Sequence, residues 1–240
     1  EFLRVARVGV GALGIITRVT LQCMPAFDLR ATESIESLDD LLESFGDDVA
    51  ANDHFEFFWM PGARRCQVKR NNRTADPREP ESRMTYFRNK ILTENIAAGL
   101  VVKVGARFPS AAPRIGELAG SSVKPRELVD KSYKIFASPR WIRFYEMEYG
   151  IPREAFPEAM SRVRDLVAGI GEPIFFPVEA RVSAADDIPL STGYGRDSAW
   201  IAVHVHKGGS YETYFQGVEK IMNDYEGRPH WGKLHFQDHT

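Results

Sequence analysis

Two rhythms of apolar and polar residues divide this chain, one near period two and one near 3.6, and together they mark out its predicted elements. Residues 1–25 read as strand, turn and strand. Val5, Val8 and Val10 lead into the glycine-rich Gly9–Gly14, and Ile15–Leu21 is apolar and β-branched. Pro25 closes this unit, and a domain boundary is expected there. Over 33–50, Ile35, Leu38, Leu41, Leu42 and Phe45 recur at three- and four-residue spacing, which predicts a helix. His54–Met60 reads as a strand of large aromatics, with Cys66–Arg70 as its hairpin partner. Residues 71–82 are polar and contain proline, so they read as an exposed loop, with helical segments after it over 83–104 and 111–120.

The C-terminal half is patterned more clearly. Trp141–Tyr149 is a predicted strand and Arg153–Ile170 a helix with Phe156, Met160, Val163, Leu166 and Val167 on one side. Pro173–Ala184 and Ala199–His206 are predicted strands, Tyr211–Tyr225 a helix, and Lys233–Gln237 a final strand. Strand–helix–strand occurs twice, without a sequence repeat. Two such units build an α+β layer, an antiparallel sheet with helices on one face.

Composition narrows the picture. The chain has 240 residues, 43% of them hydrophobic, which is enough for a sizeable core. With 31 basic and 33 acidic residues, the net charge of -2 argues against a nucleic-acid partner, which needs a basic excess. No apolar run is long enough to span a membrane as a helix. Cys23 and Cys66 are not in a CxxC pair and read as reduced, buried thiols, which points to a cytosolic location with peripheral membrane association left open. The chain opens at Glu1 with an apolar run, so it is expected to be part of a longer polypeptide.

Three constellations could carry chemistry. In the strand around Glu179-Ala180-Arg181, alternation puts Glu179 and Arg181 on one face and Val178, Ala180 and Val182 on the other. A carboxylate beside a guanidinium can hold a polyhydroxylated substrate, one accepting hydrogen bonds and the other donating them. A surface ion pair is the plainer alternative. His204 and His206 likewise share a face and could floor a ligand site, or simply be hydrogen-bonded sheet histidines. No third histidine or cysteine stands at ligand spacing, so no metal is expected. Gly227-Arg228-Pro229-His230-Trp231-Gly232-Lys233 joins a rigid turn, an imidazole, an indole and an ammonium, a mix suited to holding a flat, electron-accepting ring beside a polar substrate. A turn with a half-buried Trp and a solvated Lys is the alternative. Gly9–Gly14 contains GxGxxG, but β-branched residues follow where a dinucleotide fingerprint opens a helix, so that reading fails.

Taken together, Gly11-Ala12-Leu13-Gly14-Ile15-Ile16-Thr17, Glu179-Ala180-Arg181, the strand with His204, and Arg228-Pro229-His230-Trp231-Gly232-Lys233 make the chain resemble the FAD-linked aldonolactone oxidoreductases of the vanillyl-alcohol-oxidase superfamily. That group includes gulonolactone and arabinonolactone oxidases and dehydrogenases, with alditol oxidases as relatives. His54-Phe55-Glu56-Phe57-Phe58 and Phe144-Tyr145-Glu146-Met147-Glu148-Tyr149 resemble its actinobacterial dehydrogenase-like branch.

The resemblance implies that residues 1–25 are the tail of an FAD-binding domain and residues 26–240 a cap, or substrate-binding, domain incomplete at its C-terminus. The flavin core would lie upstream, and this chain alone should not be a competent enzyme. It implies the cofactor FAD and a sugar-lactone or polyol substrate. It further implies Glu179, Arg181 and Lys233 as catalytic groups, with Lys233 also at the flavin. His204, His206, His230 and Trp231 would bind substrate, and Gly11, Gly14, Ile15 and Ile16 would contact the cofactor. Oxygen, a cytochrome or a quinone could re-oxidise the flavin. A noncatalytic α+β binding or oligomerisation domain remains the contrasting expectation. It is distinguished by whether Glu179, Arg181, His204 and Lys233 converge.

Overall fold

The computed structural model describes residues 1–89, 92, 99, 125–171 and 174–238. Within them, period-two alternation sorts strand side chains onto two faces, and the apolar face gathers the helices. The strands are β1 (Asp28–Ser37), β2 (His54–Trp59), β3 (Arg65–Thr74), β4 (Arg126–Lys131), β5 (Phe144–Pro152), β6 (Val178–Ser183), β7 (Ser198–His206) and β8 (Arg228–Pro229). They form one eight-stranded sheet in the order β4-β1-β3-β2-β6-β7-β5-β8. Every neighbouring pair is antiparallel, and the β2–β6 pairing joins the first four strands to the last four.

One face carries α2 (Leu38–Ala51), α5 (Phe156–Gly169) and α6 (Glu212–Asn223). Leu41, Phe45, Phe156, Val163, Phe215 and Met222 from these helices pack against Phe57, Val68, Met147, Tyr149, Val178, Ala180 and Ile201 of the sheet. Each fully buried side chain of this kind contributes about 1.5–3 kcal/mol relative to exposure, so this face fixes which side of every strand points inward. The polar residues of β2, β3, β5, β6 and β7 are thereby left on the opposite, open face. The expected α+β architecture with helices on one face is what the chain adopts.

Several expected elements differ. The helix expected over 33–50 starts only at Leu38, because residues 33–37 belong to β1. Ser37 is its N-cap, in extended conformation, with its hydroxyl accepting from the Asp40 N–H at 3.4 Å. Ile35 shares helical spacing with Leu38 by coincidence: it pairs with Gln67 across the sheet. Residues 71–74 extend β3 instead of opening a loop, and β4 was not foreseen because its charged sequence shows little alternation.

Residues 1–25 are not strand–turn–strand. A short helix α1 (Phe2–Ala6) leads into turns and irregular chain. A strand needs a partner for its backbone groups, and among the described residues this segment has none. Ile15 stands 93% exposed, with Val10, Leu13, Ile16 and Leu21 also in the open. Residues 233–237 form no strand either, although the Leu234 N–H, like that of His230 before it, bonds to the β5 edge, as described below. Cys23 is exposed and only Cys66 is buried; burial pushes the Cys66 thiol up to about 12. Of the helix expected over 83–104, α3 (Arg83–Tyr86) is seen. Most of its remainder and the segment 111–120 lie outside the described residues. After β4 comes α4 (Ser132–Phe136).

Candidate active site

The open face has a centre, and the strand register builds it. Across β6, β7 and β5, Glu179 pairs with Ala202 and Ala202 with Glu148. One row further along, Arg181 pairs with Trp200, and Trp200 with Gly150. Gly150 leaves room for Trp200 there, since a Cβ would sit 3.0 Å from its indole, closer than ordinary contact. The indole is held from its other end by its Nε1–H donating to Ser183 Oγ at 2.9 Å.

Ala202, the smallest side chain in the centre, lets Arg181 lean across β7 to a strand two places away. Its Nε and Nη2 donate to the two oxygens of Glu148, each at 2.8 Å. This is a fork-to-fork pair, with the guanidinium also 5.8 Å from the Trp200 ring. Burial opposes the charge on Arg181, but the hydrogen bonds and charge of Glu148 outweigh it and raise its pKa further.

Lys233 enters from the far edge. After β8, the His230 N–H donates to the Glu148 carbonyl and the Leu234 N–H to the Glu146 carbonyl, both at 2.9 Å. The intervening turn closes through Lys233 N–H to the His230 carbonyl at 3.0 Å. Pinned in this way to β5, the loop drops Lys233 Nζ between two carboxylates, 2.6 Å from Glu146 Oε1 and 2.7 Å from Glu148 Oε2.

His204 completes the cluster. Its Nδ1 lies 3.0 Å from the Pro177 carbonyl, which can only accept, so Nδ1 carries the proton. Its Nε2 faces Glu146 Oε1 at 3.2 Å, a contact that becomes a hydrogen bond when a second proton lies between them. Burial opposes ionisation of Glu146, but hydrogen bonds from His204 and Lys233 prevail and bring its carboxyl down to about 2.

That shift has a sign. A carboxyl held below its ordinary value of 4.5 stabilises the fold fully above 4.5, and the contribution drains away as pH falls towards about 2. In thermal melts of the full-length protein, the advantage of the parent over Glu146→Gln should therefore shrink across that interval. A gap that stays constant down to pH of about 2 would contradict the assigned ionisation.

Glu179 is different in kind. Among the described residues its carboxylate has no hydrogen bond or ion pair, and burial, assisted by the nearby charge of Glu56, raises its pKa. It also lines a cavity of about 550 Å³ on the open face, together with Glu56, Lys69 and Arg140. A carboxylate that is hard to ionise and has no partner can accept a proton from a ligand.

Arg181, His204 and Lys233 thus meet at Glu146 and Glu148, with Glu179 on the same face. The other expected site residues sit apart from that cluster. His206 ends β7 with its ring against Gly209. His230 turns its Nδ1 to the Gly232 N–H at 3.1 Å, and Trp231 donates its indole N–H to the Leu190 carbonyl at 2.7 Å. Gly11, Gly14, Ile15 and Ile16 lie on the exposed N-terminal segment, with Gly11 and Gly14 at positive φ of 80° and 115°. Glu146 and Glu148 received no role from the sequence, although the signal was present. They alternate inside an apolar and aromatic strand, by the same rule that paired Glu179 with Arg181.

A family model described as D-arabinono-1,4-lactone oxidase matches residues 19–240. The chain is 46% identical over 235 residues to an L-gulono-1,4-lactone dehydrogenase of Mycobacterium tuberculosis, covering 97% of this chain and 54% of that protein. It is 27% identical over 242 residues to an L-gulonolactone oxidase of Bos taurus, covering 98% and 54%. It therefore spans about half the length of the curated relatives it matches. Among solved structures, a cholesterol oxidase from Brevibacterium sterolicum matches with a TM-score of 0.66 and 18% identity, over 89% of this chain and 50% of that one. At that identity the likeness is one of fold. No helix among the described residues is long and apolar enough to cross a membrane.

Proposed function

The chain belongs to the D-arabinono-1,4-lactone oxidase family, and from that premise we propose that its protein is an FAD-dependent oxidoreductase that oxidises a secondary alcohol of a sugar 1,4-lactone. In this reading residues 26–240 are the substrate-binding cap, and residues 1–25 are the tail of the FAD-binding domain. What supports it most is the meeting of Arg181 and Lys233 on buried Glu148, beside the carboxylate of Glu179, which has no hydrogen bond or ion pair among the described residues.

The residues suit a flavin. Two cations stand at an open sheet face, where negative charge gathering on a reduced ring would be stabilised. Lys233 would hold the N1–C2 carbonyl edge, and backbone of Gly11, Gly14, Ile15 and Ile16 the adenosine half. FAD, when bound, supplies the hydride acceptor. The protein's share is position, charge and a place for the proton.

Glu179 takes the proton of the substrate hydroxyl, a role favoured by its raised pKa and by the absence of a hydrogen bond or ion pair to it among the described residues. Arg181 donates to the oxygen as negative charge builds there, with its guanidinium plane already set by Glu148 and Trp200. His204, anchored on the Pro177 carbonyl, lines the substrate side. The indole of Trp231 is half-exposed and would offer a flat apolar wall, and His206 and His230, which stand apart from the cluster, would be further substrate contacts.

The family match covers almost the whole chain, so neither a polyol oxidase nor a noncatalytic domain is favoured. The test is anaerobic bleaching of the flavin in the full-length protein. Gulonolactone and arabinonolactone are expected to reduce it, and xylitol is expected to do so poorly. Preferential reduction by xylitol would overturn the lactone assignment, and no reduction by any of the three would overturn the enzymatic one.

A further inference from the structure

We propose that Glu148 is a positioning residue that binds Arg181 and Lys233 into a single unit, so that neither cation is in place without it. This rests on the functional reading above. The side chain of Glu148 is 1% exposed, on the last-but-one strand of the sheet, with Ala202 of β7 paired beside it. A buried carboxylate in such a place costs desolvation that a hydrophobic residue of similar volume would avoid, so its presence calls for a reason beyond packing.

The geometry supplies one. Both oxygens of Glu148 are engaged, Oε1 by Arg181 Nε and Oε2 by Arg181 Nη2 and Lys233 Nζ together, at 2.8, 2.8 and 2.7 Å. The two cations come from opposite sides. Arg181 belongs to β6 and must cross over Ala202 of β7, while Lys233 hangs from the loop after β8, on the other flank of β5. Among the described residues no other carboxylate bonds to both. Glu146 bonds to Lys233 and His204, whereas the hydrogen bonds of Arg181 go to Glu148. Without Glu148 the two like charges would repel one another at the floor of the site, and each flexible stem would turn to water. The turn holding Lys233 is itself bonded to the Glu148 backbone, so β5 sets the loop, the ammonium and the guanidinium in one frame.

The test is a double-mutant cycle in the full-length, FAD-loaded protein, read by single-turnover flavin reduction, which separates the rate constant from substrate affinity. Arg181→Met and Glu148→Gln are each expected to lower the rate constant by about 10²–10³-fold, and the double variant by little more than the worse single, because residues acting as a unit are not additive. Glu148→Gln should also raise the labelling rate of Lys233 by an amine reagent several-fold, read by mass spectrometry, with Lys69 on β3, half-buried against Glu56, unchanged. That readout needs no turnover, and general loosening of the fold would move both lysines.

A Glu148→Gln rate constant within about threefold of the parent, or multiplicative losses in the double variant, overturns the proposal. If Arg181→Met itself reduces flavin normally, the functional reading fails first and the proposal falls with it. Should Glu148→Gln not fold, Glu148→Asp takes its place. It keeps the charge but withdraws it by one methylene, and parent-like reduction with parent-like Lys233 labelling refutes the positioning role.

Discussion

Replacing Arg181 by Lys in the full-length flavoprotein is expected to slow flavin reduction by about 10²–10³-fold, the cost of losing one well-aimed donor to developing oxyanion charge. The substitution keeps the charge and removes the geometry. Arg181 reaches Glu148 through two parallel hydrogen bonds of 2.8 Å across an intervening strand, and it lies along the Trp200 ring. An ammonium is a compact point charge that cannot make the fork. Its shorter reach would pull it towards one oxygen of Glu148 and away from the substrate. Because the loss lies in orientation, substrate affinity should fall much less than the rate constant. Reduction at the parent rate in Arg181→Lys would mean that only net positive charge matters here, and the role assigned to the guanidinium would have to be abandoned.

The second large effect concerns Glu179. Glu179→Gln should lower flavin reduction by about 10²–10⁴-fold, the usual contribution of a positioned general base. The parent's pH profile carries the same information. Burial and the charge of Glu56 raise the pKa of Glu179, and only the ionised form can take a proton. The rate should therefore rise with pH through a value above the ordinary 4.5 and then level off. In Glu179→Gln that acid limb should vanish, leaving a low rate without it. An acid limb that survives the substitution unchanged would assign it to another group and remove Glu179 from the base role.

Glu179, Arg181 and Lys233 were all legible as candidates, for reasons that are local. Alternation decides which residues of a strand share a face, and Val178 and Ala180 mark the buried one without any tertiary knowledge. The residues that organise those candidates were not legible. An acidic residue on a strand is read as solvated, and nothing in Phe144–Tyr149 says that Glu148 is covered. The helix expected from residue 33 failed for a related reason: Ile35 fits a helical spacing, but its register with Gln67 makes it strand. The N-terminal strands failed because β-branched composition describes a preference, whereas a strand exists only where another backbone meets it.

Period and composition along the chain determined the α+β class, the apolar helix stripes and the face shared by Glu179 and Arg181, since these follow from each residue's nearest neighbours in sequence. Only the tertiary structure decided that β7 lies between β6 and β5, that Ala202 leaves room for Arg181 to cross it, and that one buried carboxylate receives cations from segments 52 residues apart. Strand order is settled by how the helix face buries its apolar area as a whole, and no local pattern encodes that sum.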